Sequence, residues 1–133
     1  MYRRFGVALA LAALVSACGG VVDPSNNQTE TFTGTIQPGS GNGDVKQVNI
    51  TKSGEITVTV TSLTPTVPSG TFFVVGIGQS FSGQCSPIQA NQFAVVGSAA
   101  ISGPVTPASY CVFILDEGFF TVAEDYVMKV SHP

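Results

Sequence analysis

Beyond residue 30 the chain alternates apolar and polar residues in short runs, and this alternation predicts an all-β domain. The clearest run is 55–62, in which aliphatic residues occupy every second position and Thr57, Thr59 and Thr61 lie between them. A period of two is typical of a strand with one buried face and one solvated face. No stretch sustains the roughly 3.6-residue period of an amphipathic helix.

Other runs rich in Val, Ile, Thr and Phe also predict strands, with Gly, Pro, Ser and Asn between them. These runs are 31–37, 45–51, 71–78, 93–101 with an interruption at Gly97, 110–115 and 126–131. Residues 79–92, which contain Cys85 and Pro87, are expected to form a long loop. About seven strands at this spacing favour an antiparallel β-sandwich with jelly-roll or Greek-key wiring.

Residues 1–17 have the pattern of an export signal. The basic pair Arg3-Arg4 precedes an apolar run, 5–15, which is followed by small residues. That run is too short for a membrane-spanning helix, which takes about 20 apolar residues. The segment Val15-Ser16-Ala17-Cys18 resembles a bacterial lipobox. The alternative is an ordinary secretory signal followed by an unrelated cysteine.

The lipobox resemblance implies that the thiol of Cys18 carries a diacylglyceryl group and that Cys18 becomes the first residue of the mature chain. Two or more acyl chains hold a protein on a membrane stably, at about 0.8 kcal/mol per buried CH₂. Gly19 stands where the enterobacterial rule places an aspartate in lipoproteins of the inner membrane, so the outer membrane is the expected location. Residues 18–30 are mostly small and polar and are expected to form a flexible tether, and residues 31–133 are expected to form one domain.

The charge balance argues against a nucleic-acid partner. The formal net charge is −3, and removal of Arg3-Arg4 leaves three lysines against eight acidic residues. Binding to nucleic acid or docking on anionic head groups by a basic patch is therefore not expected. The expected partners are the membrane, through the Cys18 lipid, and another envelope protein or a glycan.

The chain has three cysteines, Cys18, Cys85 and Cys111. If lipid occupies Cys18, an even pair remains, and paired thiols outside the cytosol tend to oxidise. We therefore predict a disulfide between Cys85 and Cys111. A metal pair or a reactive thiol are the alternatives, but no second Cys or His lies at a ligand spacing.

Groups that could support catalysis are few. The only histidine, His132, lies beside a terminus that is expected to fray, which argues against a Ser-His-Asp arrangement. Four acidic residues bracket one loop, and they either keep a hairpin tip soluble, act as the paired carboxylates of a glycosidase, or supply oxygen ligands to calcium. They are Asp116, Glu117, Glu124 and Asp125. We predict no catalytic residue, no cofactor and no resident metal.

Phenylalanines in predicted loops, Phe119 and Phe120 together and Phe81 in the loop 79–92, have two interpretations. They either close one end of the sandwich or form an apolar binding patch.

Four segments resemble the bacterial pre-peptidase C-terminal domain, a small β-sandwich found beside secreted peptidases and in envelope proteins. They are Gly34-Thr35-Ile36, Gly54-Glu55-Ile56-Thr57-Val58, Pro107-Ala108-Ser109-Tyr110-Cys111-Val112 and Tyr126-Val127-Met128-Lys129-Val130. The resemblance covers residues 30–131. Family members often carry Asp-x-Asp where this chain has Phe72-Phe73-Val74-Val75, so the calcium sites of the family are not carried over. The cysteine pair is not a hallmark of the family.

These patterns together predict a lipid-anchored, non-catalytic envelope protein that acts as an interaction or accessory module. The second hypothesis is a surface lipoprotein that binds a glycan or calcium through the loop from Asp116 to Asp125.

Overall fold

The computed structural model describes residues 24–133, which form eight antiparallel strands preceded by one short 3₁₀ turn, Pro24–Asn26. The strands are β1 (Gln28–Ile36), β2 (Gly43–Ile50), β3 (Gly54–Thr64), β4 (Phe73–Phe81), β5 (Gln84–Ala94), β6 (Ala99–Val105), β7 (Ala108–Leu115) and β8 (Glu124–His132). The predicted signal peptide and Cys18 lie outside the described residues. Within residues 24–133 no helix has the length and hydropathy needed to cross a membrane.

The strands form two four-stranded sheets that pack face to face. Sheet I has the order β1-β8-β3-β6, and sheet II has the order β2-β7-β4-β5. The pairs β1·β8, β2·β7, β3·β6 and β4·β5 are nested, so the chain is one long two-stranded ribbon whose successive pairs alternate between the sheets. This winding is a jelly roll. The predicted antiparallel sandwich is confirmed, and of the two predicted wirings, jelly roll and Greek key, the chain has the jelly roll.

The jelly roll places its connections at two opposite ends. One end contains the start of β1, the end of β8 and the β2–β3, β4–β5 and β6–β7 connections. We call this the entry end. The β1–β2, β3–β4, β5–β6 and β7–β8 loops lie at the other end, which we call the acidic end because the predicted acidic loop is there. Since β1 begins at Gln28, residues 28–30 of the predicted tether belong to sheet I.

The prediction of a long loop over residues 79–92 is wrong. Strand β4 runs on to Phe81, and only Ser82 and Gly83, both at positive φ, separate it from β5. Two such residues form the tight turn that joins twisted antiparallel strands. Strand β5 has no apolar alternation that would predict it, because it is an edge strand made mainly of small and polar residues. It also contains Pro87, and its pairing with β4 shifts register at Ile88.

The interruption predicted at Gly97 divides the run 93–101 into two strands. Strand β5 ends at Ala94 and β6 begins at Ala99, with Gly97 at a φ of 87° in the turn between them. The count is therefore eight strands rather than about seven.

Every second residue of each sheet faces the shared interior. The largest fully buried side chains include Tyr126, Phe73, Ile36, Ile56 and Met128. They pack with the other aliphatic side chains of the inner faces into one hydrophobic cluster. Burial of each such side chain contributes about 1.5–3 kcal/mol before the entropy of ordering is subtracted.

One polar contact joins the two sheets on the β1–β2 side. The Tyr126 hydroxyl donates to Asp44 Oδ2 at 2.7 Å, and Gly34 leaves the space, since a Cβ there would lie 2.3 Å from the same oxygen. Burial alone would raise the pKa of Asp44, but hydrogen bonds from Tyr126, Lys46 and the Val45 N–H outweigh it and hold that pKa below its ordinary value. Burial and the Asp44 carboxylate raise the pKa of Tyr126.

Candidate functional site

Asp116, the first of the predicted acidic residues, is fully buried and organises the acidic end. Its Oδ1 accepts hydrogen bonds from the backbone N–H groups of Gly118, Phe119 and Phe120 at 2.8, 2.9 and 3.1 Å. Its Oδ2 accepts from the Gly39 N–H at 2.7 Å. Because backbone donors occupy both oxygens, this carboxylate holds the β7–β8 loop in shape and joins it to the β1–β2 loop.

The electrostatics of Asp116 agree with that structural role. Burial alone would raise the pKa of its carboxyl, but the four N–H donors outweigh burial and lower the pKa below its ordinary value. The main chain adds two contacts between the same loops: the Gly41 N–H donates to the Asp116 carbonyl and the Asp116 N–H donates to the Asn42 carbonyl, each at 2.8 Å.

The other three acidic residues have separate environments. Glu117 is exposed, and Asp125 accepts a hydrogen bond from the Thr35 hydroxyl. Glu124 is buried, and its Oε2 has no hydrogen-bond partner among the described residues. Burial, with a smaller contribution from Asp125, raises the pKa of Glu124. Across residues 24–133 no group of three or more His, Cys, Asp or Glu side chains is arranged to hold a metal ion.

The two loop phenylalanines do not share a patch. Phe120 is 5% exposed and packs with its ring centroid 6.3 Å from that of Phe73, so it closes the acidic end of the core. Phe119, its neighbour, is 60% exposed. Phe120 therefore closes the end of the sandwich, and only Phe119 is exposed to solvent.

His132 does not lie in a frayed terminus, contrary to the expectation from its position. It belongs to β8, pairs with Gln28 and is buried. Its Nε2 lies 2.7 Å from Glu30 Oε1, and its Nδ1 lies 3.0 Å from the Pro133 carbonyl oxygen. These contacts join the last strand to the first at the entry end, and no serine takes part in them.

The predicted disulfide between Cys85 and Cys111 is present, with an S–S distance of 1.96 Å. It joins β5 to β7, which are not neighbours, because β4 lies between them. The bridge passes over Gly78, where a Cβ would lie 2.9 Å from Cys85 Sγ and 2.3 Å from the Ser86 carbonyl oxygen. A glycine inside an apolar strand is typical of such a close approach.

Phe113 and Val74 show that the outer face of sheet II is apolar. They alternate with core residues and therefore point away from the interior, yet they are only 6% and 4% exposed. The Phe113 ring lies across Gly76, where a Cβ would be 2.0 Å from its nearest atom. Phe113 also stands opposite Val45 on β2.

Exposed apolar side chains continue this surface. Val45 is 45% exposed, and the rings of Phe72 and Phe93 meet edge to face at 5.6 Å with exposures of 37% and 71%. We call Val45, Phe72, Val74, Phe93 and Phe113 the apolar face. The sequence does not reveal this face, because a run that is apolar on both sides, such as 71–78, predicts a strand covered on both sides.

The outer face of sheet I has the opposite character. Strand β1 presents four exposed threonines to solvent: Thr29, Thr31, Thr33 and Thr35. Exposed or half-buried threonines of β3 and the exposed Lys129 of β8 continue this polar surface. A wet outer face of this kind is what an antiparallel sheet in solution normally has.

A cleft of about 190 Å³ lies between β5 and β6 near the entry end. Its lining is mainly apolar and includes Ile56, Ile77, Ile88, Ile101 and Tyr110. The described residues that line it carry neither a carboxylate nor an imidazole, so they bring no acid and base together.

Comparison of the chain with protein-family models and with curated proteins gives no match. The resemblance to the pre-peptidase C-terminal domain and to a lipobox therefore stays a prediction from the residues quoted above.

Proposed function

We propose that this chain is a lipid-anchored, non-catalytic protein of the bacterial cell envelope. Cys18 is its lipid attachment site, and its jelly-roll domain is an interaction module that binds another envelope protein through the apolar face. The outer membrane is the proposed location.

The difference between the two outer sheet faces carries this proposal. Sheet I is covered with hydroxyl groups, whereas sheet II presents the exposed rings of Phe72 and Phe93 beside the exposed Val45. An exposed apolar patch bordered by polar surface marks a site of interaction, and aromatic residues are enriched in protein interfaces. The aromatic pair would be the central anchor of such an interface.

Two observations support an exported, anchored protein. The lipobox-like segment ends at Cys18, and the remaining cysteines form a disulfide, which is typical of oxidising compartments outside the cytosol. Gly19 supports the outer membrane over the inner membrane.

The contacts of the chemistry-bearing groups support a non-catalytic role. Both carboxylate oxygens of Asp116 accept backbone hydrogen bonds, and His132 bonds to Glu30 and to the terminal residue. General acid–base catalysis requires a proton carrier held within reach of a substrate, whereas these groups join segments of the fold to one another.

The anchor is tested by expressing the full chain and Cys18→Ser in a Gram-negative host. The mass of the N-terminal peptide should show a diacylglyceryl adduct on Cys18 only in the wild type, and Cys18→Ser should leave the membrane fraction. In an enterobacterial host Gly19→Asp should move the wild-type protein from the outer to the inner membrane on a density gradient. An unmodified Cys18 would refute the anchor.

The interface is tested by placing a photo-crosslinking amino acid at Phe93 and, as a matched control on the opposite sheet, at Thr31. Illumination of intact cells should give an adduct with one envelope protein from position 93 and none from position 31. Phe72→Ser in the same chain should weaken that adduct. Equal adducts from both positions, or none from either, would count against the apolar face as a binding surface.

A further inference from the structure

Phe81 is the most exposed large apolar side chain in the described part of the chain, at 78%. It is the last residue of β4, directly before the Ser82-Gly83 turn, so it stands at the tip of the β4–β5 hairpin. Another strongly exposed apolar side chain, Ile88 at 65%, follows on the same hairpin. At this exposure the Phe81 ring gains little stabilisation from burial in its own domain, so it is available for contact with another surface.

The tip lies at the entry end, where the chain joins the domain. Asn27 fixes that point, because its side-chain amide donates to the Glu55 carbonyl at 3.0 Å and to the Ser131 hydroxyl at 3.3 Å. Fully extended, the nine Cα-to-Cα steps from Cys18 to Asn27 reach at most about 32 Å. A lipid on Cys18 therefore keeps the entry end within a short distance of the bilayer.

Charge favours the same orientation. No charged residue occurs between Glu55 and Asp116, so the whole β4–β5 hairpin is uncharged. Five carboxylates lie at the opposite, acidic end: Asp44, Asp116, Glu117, Glu124 and Asp125. The entry end has two carboxylates, Glu30 and Glu55, beside Lys52, so an anionic membrane surface repels the acidic end more strongly than the entry end.

The disulfide makes the tip rigid. It attaches Cys85, which pairs with Ser80 one step from the tip, to the buried Cys111 of β7. A side chain presented on a constrained hairpin loses less conformational freedom when it binds than one on a mobile loop. The disulfide therefore holds Phe81 in one position, from which it can contact a surface outside the domain.

We propose that the β4–β5 tip rests in the interfacial layer of the bilayer, with Phe81 inserted below the head groups and the acidic end directed away from the membrane. This inference rests on the Cys18 anchor of the proposed function, because one inserted ring holds the domain only when a tether keeps it at a high local concentration. The contact fixes the orientation of the domain and leaves the apolar face of sheet II free for its partner.

The chain contains no tryptophan, so one introduced tryptophan reports on its own surroundings. Lipidated full-length Phe81→Trp is reconstituted on phosphatidylethanolamine–phosphatidylglycerol vesicles, with Phe119→Trp at the acidic end as the matched control. The indole at the tip should emit at shorter wavelength than in a soluble Cys18→Ser background, and brominated lipids should quench it. The indole of the control variant should show neither change. The mass of the N-terminal peptide is measured on the same samples.

The outcomes separate the two proposals. A lipidated Phe81→Trp protein whose emission matches that of its soluble counterpart overturns the membrane contact and leaves the proposed function standing. An unmodified Cys18 overturns both. Quenching of Phe119→Trp as strongly as Phe81→Trp overturns the orientation. Emission from Phe81→Trp that shifts with protein concentration in the soluble background shows that the tip meets a second copy of the chain, which also overturns the proposal.

Discussion

Replacement of Asp116 tests whether its carboxylate stabilises the loops of the acidic end or serves as a ligand for a cation. Asp116→Ala removes the acceptor for four backbone N–H groups, those of Gly39, Gly118, Phe119 and Phe120. Asp116→Asn keeps an oxygen at Oδ1 for three of them and turns an N–H donor toward the fourth, Gly39. The two variants therefore remove four contacts and one contact, respectively.

A hydrogen bond to a charged group contributes about 1.5–3 kcal/mol, and an unsatisfied buried donor costs about 1–3 kcal/mol. Since three of the four donors share one oxygen, their contributions do not add fully. We expect Asp116→Ala to lower the free energy of unfolding by about 3–5 kcal/mol and Asp116→Asn by about 1–3 kcal/mol. At about 4 °C per kcal/mol, the melting temperature should fall by about 12–20 °C and about 4–12 °C.

Thermal unfolding followed by circular dichroism at neutral pH measures both changes, with Glu117→Ala as the matched control because the adjacent Glu117 is exposed. The lowered pKa of Asp116 means that its contribution is present above the unfolded-state pKa, about 3.9, and is lost as the pH falls through the folded-state pKa. The difference between wild type and Asp116→Asn should therefore shrink in acid. An Asp116→Ala protein that melts within a few degrees of wild type, or a wild type strongly stabilised by calcium, would refute the assignment.

Two further predictions concern the disulfide and the buried glutamate. The disulfide closes a loop between cysteines 26 positions apart, and the entropy that this removes from the unfolded state stabilises the fold by about 3.5 kcal/mol. The Cys85→Ala/Cys111→Ala double variant should therefore melt about 15 °C below wild type. A wild type that reductant does not destabilise would contradict this. The raised pKa of Glu124 means that its contribution is most favourable below the ordinary glutamate pKa of about 4.3 and is lost as the pH rises through the folded-state pKa. Urea unfolding at acidic and at mildly alkaline pH should show Glu124→Gln gaining stability relative to wild type as the pH rises, whereas parallel profiles would be evidence against a buried, unpaired carboxyl.

The jelly roll explains how one small domain separates three surfaces. Because nested strand pairs alternate between the sheets, the connections fall at two opposite ends and each sheet keeps one outer face. The polar face of sheet I, the apolar face of sheet II and the uncharged tip beside the entry point are therefore directed differently. The proposed function requires such a separation, because it has the domain contact a membrane and a partner at the same time.

Much of the fold follows from the sequence alone. Alternation over residues 55–62 defined the third strand, because a period of two leaves a strand only one way to bury its aliphatic side chains. The parity of the cysteines predicted the disulfide, and the glycine and proline positions predicted most of the turns. An edge strand such as β5 has no such signal, since neither of its faces needs to be apolar.

The roles of the site residues depended on contacts that pattern does not encode. Asp116 and Glu117 are chemically alike and adjacent, yet only Asp116 meets backbone donors, which come from segments as distant in sequence as Gly39. Phe119 and Phe120 separate into surface and core for the same reason. Local sequence determines which side chains alternate along a strand, but the direction of a loop side chain depends on segments that only the folded chain brings together.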